Sequence, residues 1–232
     1  MLSSGQHADP DTNRPCVLYW TMPARPSQRT ANVAYYATHR ERERTRVRDR
    51  QRARIYQLRR LRERPCADCG GVFESHQMDF DHRDGSVKAF RLTSGSSMLR
   101  SERLVQDEIA KCDVVCANCH RIRTQRRHAA QPRGRSGNSA GLARKRATWR
   151  EQARRLDALR DRPCQDCDQR FPPCAMDFDH RDPASKRAAV TRLIGRAGID
   201  RILDEAAKCD IVCANCHRLR TFQRRVAESV RE

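Results

Sequence analysis

A chain of 232 residues with only 38% hydrophobic and 5% aromatic residues has too little apolar material for one large core, which leaves small units held by an additional staple. Its formal net charge of +19 calls for a polyanionic partner, and no apolar run approaches membrane-spanning length, so nucleic acid comes before a membrane surface. Twelve cysteines set mostly as C-x-x-C pairs, with no apolar signal core in Met1 to Pro10, read as zinc ligands in an intracellular, cytoplasmic, reducing setting and not as a disulfide framework.

Residues 1–34 carry Pro10, Pro15, Pro23 and Pro26 among polar residues and read as a disordered leader in which Cys16, Tyr19 and Trp20 dock at most locally. From 35 to 64 there is no Pro or Gly, and twelve arginines against four acidic residues give +8, a composition suited to a helix. Its apolar stripe is thin (Ile55, Leu58, Leu61), so most of its surface is solvated or faces phosphates. A solvated tether is the bland alternative.

Two repeats follow. Pro65-Cys66-Ala67-Asp68-Cys69 returns as Pro163-Cys164-Gln165-Asp166-Cys167, and Met78-Asp79-Phe80-Asp81-His82 returns as Met176-Asp177-Phe178-Asp179-His180, both offset by 98 residues. Cys112-Asp113-Val114-Val115-Cys116-Ala117-Asn118-Cys119-His120 returns as Cys209-Asp210-Ile211-Val212-Cys213-Ala214-Asn215-Cys216-His217 at an offset of 97, so one residue is lost from the segment between. The leading helix has a counterpart with a stripe of Trp149, Ala153, Leu156 and Leu159. The domain plan is therefore a basic helix with a first module over 35–127, a Gly, Ser, Pro and Arg-rich linker over 128–142, and a second helix and module over 143–232. Net charge is +1 over 65–127 and +3 over 163–225, against +8 and +7 for the segments that precede them, so the arms grip a backbone and the cores hold the chemistry.

Cys66, Cys69, Cys116 and Cys119, and again Cys164, Cys167, Cys213 and Cys216, have the paired two-residue spacing that closes a tetrahedral structural zinc site. Buried free thiols are the alternative, and that reading is kept for Cys112, Cys209, Cys174 and Cys16. Met78 to His82 alternates apolar and acidic residues as a short strand that carries an acid and an imidazole to its end. With zinc pinning the following helix against this strand, Asp81 and His120 converge on a second ion, Mg2+, Mn2+ or Zn2+, and His82 serves as general base. Asp179, His217 and His180 repeat the set. Taken singly, Asp81 also suits a turn cap, His82 a surface imidazole and His120 a zinc ligand; their joint recurrence favours chemistry. Lys88, Arg121, Arg123, Lys186, Arg218 and Arg220 are candidate phosphate contacts, and Glu108 and Glu205 read as structural.

An Asp-His on a strand followed by Cys-x-x-Cys-His at the head of a helix resembles the HNH endonucleases of the four-cysteine zinc type, over residues 64–127 and 162–225. The resemblance implies an α+β fold of two tandem zinc-stapled ββα-metal modules. It implies Asp81, His120, Asp179 and His217 as ligands of a catalytic divalent metal, His82 and His180 as general bases, and one structural zinc per module. The middle Asn of the family falls to Asn118 and Asn215; many members place it several residues earlier, where this chain has Lys111 and Lys208. The expected function is hydrolysis of phosphodiesters in double-stranded DNA, by nicking or by cutting both strands, with no small-molecule substrate. The alternative is a non-catalytic zinc module that binds DNA or RNA, which has no need of the Asp-His pair.

Overall fold

Two strand pairs, each wrapped by helices and a cysteine knuckle, give the α+β architecture of the computed structural model, which describes residues 27–92, 100–130 and 139–230. The leader up to residue 26, with Cys16, Tyr19 and Trp20, and residues 131–138 of the expected linker lie outside the described residues. The chain divides into two units, Met1–Arg48 and Asp49–Glu232, and the second contains both repeats.

Helix α1 spans Gln28–Arg60 and so begins inside the expected leader. Ser27 explains the early start: its Oγ accepts from the Thr30 amide at 3.2 Å, an N-cap directly after Pro26. In the first unit Tyr35 stacks on His39 with ring centroids 4.2 Å apart. In the second unit only Leu58 of the predicted stripe is buried, while Ile55 is exposed, and the helix ends ahead of Pro65.

The first module pairs β1 (Met78–His82) antiparallel with β2 (Cys112–Cys116), Met78 opposite Cys116 and His82 opposite Cys112. Helix α2 (Glu102–Ile109), capped by Ser101, leads into β2, and α3 (Ala117–Ala130) leaves it, which carries helix into the segment expected to be linker. The second module follows with α4 (Ala140–Arg160), β3 (Met176–His180), α5 (Ile199–Ala206), β4 (Cys209–Cys213) and α6 (Ala214–Ser229). Its strands keep the register, Met176 opposite Cys213 and His180 opposite Cys209.

Two five-residue strands are marginal alone, and two small apolar clusters hold each pair in place. Beneath the first knuckle lie Cys66, Met78, Val114, Val115 and Cys116, and beneath the second Cys164, Met176, Ile211, Val212 and Cys213. The second cluster ties the leading helix to the crossover helix, through Leu58, Leu92 and Val105 or through Leu156, Val190, Ile202 and Ala206. Phe80 and Phe178 each touch both clusters of their module. Trp149 of the predicted stripe is 42% exposed, and Gln152 is buried instead, accepting from the Gly195 amide and donating to Ala197 O.

The modules meet at the first turns of α3 and α6. The Asn118 amide donates to Asn215 Oδ1 at 3.3 Å and the Asn215 amide donates to Asn118 Oδ1 at 3.1 Å, so the contact is isologous, as in a two-fold dimer. The symmetry breaks nearby, where His76 stacks on Phe222 at 4.3 Å and the equivalent positions hold Cys174 and Gln125.

Candidate metal centres and acid–imidazole site

In each module four cysteine sulfurs, those of Cys66, Cys69, Cys116 and Cys119 or of Cys164, Cys167, Cys213 and Cys216, lie within 4.8 Å of one another. Both sets fit a tetrahedral zinc ion, with four thiols and no other donor type. Backbone amides favour the thiolate form at one cysteine of each set, Cys66 and Cys164. The Cys116 amide donates to Cys66 Sγ at 3.2 Å and the Cys213 amide to Cys164 Sγ at 3.1 Å. Burial alone would raise the Cys66 thiol, yet backbone amides of Cys69, Cys116 and Asp68 bring it down to about 7. Cys213 Sγ also caps α6 by accepting from the Cys216 amide at 3.5 Å, so the knuckle starts the helix that presents His217. The first knuckle turns through Gly70 at φ +68, and Asp168 takes the same left-handed conformation at φ +55 in the second. Cys112 and Cys209 keep their expected place outside the clusters: burial pushes both up to about 11, and their thiols donate to Glu108 O and Glu205 O.

Strand alternation sorts the acids from the imidazole. Asp79 and Asp81 face α3, where His120 Nδ1 lies 2.8 Å from Asp79 Oδ2 and Nε2 lies 3.4 Å from Asp81 Oδ1. His217 bridges Asp177 and Asp179 in the same way, at 2.8 and 3.5 Å. Burial alone would raise Asp79 and Asp177; hydrogen bonds from His120 and Arg218, or from His217 and Arg121, hold them at about 2. A carboxylate oxygen and an imidazole nitrogen about 3.4 Å apart have the spacing of two ligands of one divalent ion. No third His, Cys, Asp or Glu donor joins either pair among the described residues. Arginine holds both oxygens of each acid, the one facing the histidine included: Asp81 Oδ1 accepts from Arg127 and Oδ2 from Arg123 and Arg127, and Asp179 Oδ1 accepts from Arg224 and Oδ2 from Arg220 and Arg224.

His82 and His180 lie on the opposite strand face, buried against the crossover helix. His82 Nε2 is 2.7 Å from Glu108 Oε1 and His180 Nε2 is 2.9 Å from Glu205 Oε1. Glu205 Oε1 also accepts from the Arg187 and Ala188 amides, and Oε2 from Lys208 Nζ at 2.7 Å. Lys208 and His180, joined by these amides, hold Glu205 at about 2 although burial opposes it, and Lys111, His82 and the Ala89 and Phe90 amides hold Glu108 at the same value. An ionised Glu205 takes the Nε2 proton as acceptor, which leaves His180 Nδ1 as the basic nitrogen; Nδ1 makes no hydrogen bond among the described residues. Sequence reading gave Glu108 and Glu205 no chemical part. The signal was there: each follows a core aliphatic, Val105 or Ile202, by three residues and so stands on the buried stripe of its helix.

A cavity of about 410 Å3 brings the second set together, with Asp179, His180, Lys186, His217 and Arg224 in its wall. Asp79 and His120 of the first module line a different cavity, of about 700 Å3, together with Cys174 and Arg218 of the second, and Asp81, His82 and Lys88 are not in its wall.

Asn118 and Asn215 are not brought to these groups. They are 2% and 4% exposed, and each side chain accepts the other module's amide, which makes them an inter-module clasp. The four candidate phosphate-binding arginines are engaged by carboxylates: Arg121 by Asp177 and Arg218 by Asp79 across modules, Arg123 by Asp68, Asp81 and Asp113, and Arg220 by Asp166, Asp179 and Asp210. Lys88 is exposed and Lys186 lines the cavity. Among the described residues no helix is long and apolar enough to cross a membrane. Comparison with protein families, characterised proteins and solved structures finds no match to this chain.

Proposed function

We propose that the chain is a metal-dependent endonuclease of the HNH type, which hydrolyses phosphodiester bonds of double-stranded DNA with one site per module. The observation that carries this reading is the cavity that Asp179, His180, His217 and Lys186 all line, with His180 held by a buried, ionised Glu205. A structural zinc knuckle needs none of these groups.

In this reading His180 Nδ1 takes a proton from the attacking water while Glu205 holds the Nε2 proton and stabilises the imidazolium that results. The water oxygen forms its bond to phosphorus as the bond to the leaving ester oxygen breaks. Lys186 meets the non-bridging oxygens. Asp179 and His217 would hold a divalent ion, which when bound neutralises charge developing on the phosphate and the leaving oxygen. The first module repeats the roles with His82, Glu108, Lys88, Asp81 and His120. The arginine-rich arms supply sequence-independent attraction to the backbone.

A second reading, a zinc-stapled nucleic-acid binder without catalysis, draws on one observation: arginines occupy Asp81 and Asp179 at the positions where an ion would sit. Cleavage of supercoiled plasmid with Mg2+ or Mn2+ separates the two. The wild type should cut, with His82→Ala and His180→Ala each silencing one site and the double variant losing activity about 100-fold or more while its zinc content is retained. A wild type that binds DNA and never cuts with any divalent ion supports the binder.

A further inference from the structure

The arginines that follow His120 and His217 reach out of their own modules. Arg218 Nη2 donates to Asp79 Oδ2 at 2.7 Å, the same oxygen that holds His120 Nδ1 at 2.8 Å. Arg121 Nη1 donates to Asp177 Oδ1 at 2.6 Å while Asp177 Oδ2 holds His217 Nδ1 at 2.8 Å. Arg121 is covalently joined to His120 and Arg218 to His217, so the six residues close a ring: His120, Asp79, Arg218, His217, Asp177, Arg121 and back to His120. The ring crosses between modules twice.

Isolated surface ion pairs are weak, because each charge is as well served by water. These differ in two respects. The Asp79 and Asp177 side chains are only 14% and 19% exposed, so a carboxylate that loses its arginine regains little solvent. The Asn118–Asn215 clasp, two residues ahead of each histidine, fixes the helix starts from which both arginines spring. A carboxylate held on one side by the sister module's guanidinium presents a fixed oxygen to its own histidine, and that fixes the imidazole orientation and its Nδ1–H tautomer.

We infer that Arg121 and Arg218 are positioning residues that act across the module boundary, each setting through Asp177 or Asp79 the histidine of the other module, so that the two sites are built as a coupled pair. The use made of the histidines rests on the nuclease reading above; the coupling itself is a statement about side-chain placement.

The test uses the full-length, zinc-loaded chain carrying Asp179→Asn, which leaves Asp81 and His120 as the remaining ion-binding pair, titrated with Mn2+ alone. Adding Arg218→Gln, a change confined to the second module, should weaken Mn2+ binding in the first by about 10-fold or more, and Arg218→Lys should recover part of the loss. Ring 15N spectra recorded without Mn2+ should show the His120 nitrogens shifting in Arg218→Gln and moving back in Arg218→Lys. Unchanged His120 signals and unchanged Mn2+ affinity, with zinc content intact, overturn the inference. So does a His120 change that lysine restores in no measure, since that marks lost packing. If the parent protein binds no Mn2+, the divalent-ion reading falls and the His120 spectra alone decide the coupling.

Discussion

At the scale of single residues, the feature that most changes the reading of the site is the glutamate behind the imidazole. Glu108 and Glu205 are nearly inaccessible, yet a histidine, a lysine and two backbone amides keep each at about 2 against the usual 4.5. A carboxylate held below its unfolded value contributes stability that is complete above that value and disappears as pH falls towards the folded one. Glu205→Gln keeps the shape and removes the charge. It should cost on the order of 2–3 kcal/mol near neutral pH. By the direction of the shift, the Glu205 charge is complete above pH 4.5, and protonation of the thiols releases zinc in acid, so the difference from wild type in chemical unfolding should hold steady from about pH 6 to 8 with zinc content intact. The absence of a difference in that window would show that the charge contributes nothing. The same variant should also slow plasmid cleavage under the proposed mechanism, because the His180 tautomer is no longer enforced.

At the scale of elements, the strand register creates a conflict that the helix after it resolves. Asp81 stands opposite Asp113, and Asp179 opposite Asp210, an arrangement of like charges that destabilises a strand pair. Arg123 Nη1 donates to Asp81 at 3.3 Å and to Asp113 at 2.9 Å, and Arg220 Nη1 does the same for Asp179 and Asp210. Arg123→Met should therefore destabilise the first module by about 3 kcal/mol, and Asp113→Asn in the same chain should return a good part of it, as a double-mutant cycle in urea would read. Gly195 offers a separate check on the second module. Its φ is +73, and an added Cβ would overlap the Trp149 ring at Nε1. Gly195→Ala should lower stability by about 1–3 kcal/mol, with Trp149 fluorescence reporting the displacement.

At the scale of the whole molecule, two small cores are joined by a polar, isologous seam. Asn118→Ala removes the acceptor for a buried amide of the other module and should cost about 1–3 kcal/mol. Combined with Asn215→Ala, the loss should be less than additive, since each single change already opens the clasp. A zinc ion in each four-thiol cluster would be the other global support. With apolar clusters of about five residues under each knuckle, chelation should remove cooperative unfolding altogether and not merely shift its midpoint. A chelated protein that keeps a sharp transition would mean the cores suffice without the metal.

Much of this was legible in the sequence because covalent spacing dictates it. Two C-x-x-C pairs per repeat have little to do except close a four-thiol site, and Met-Asp-Phe-Asp-His alternates as a strand does, so the repeats, their offset and the four-cysteine clusters followed from residue order. The burial of Leu58 and Leu156 was readable for the same reason. Long-range partners were not, since spacing says nothing about which helix will lie across a strand. That His82 and His180 would turn to Glu108 and Glu205 is decided only when each module packs its crossover helix on its strands, and that Asn118 and Asn215 would clasp each other and Arg121 and Arg218 would serve the opposite module only when the two modules pack together. Each of those groups is polar and buried or half-buried, and the fold must give it whatever partner the packed neighbour presents.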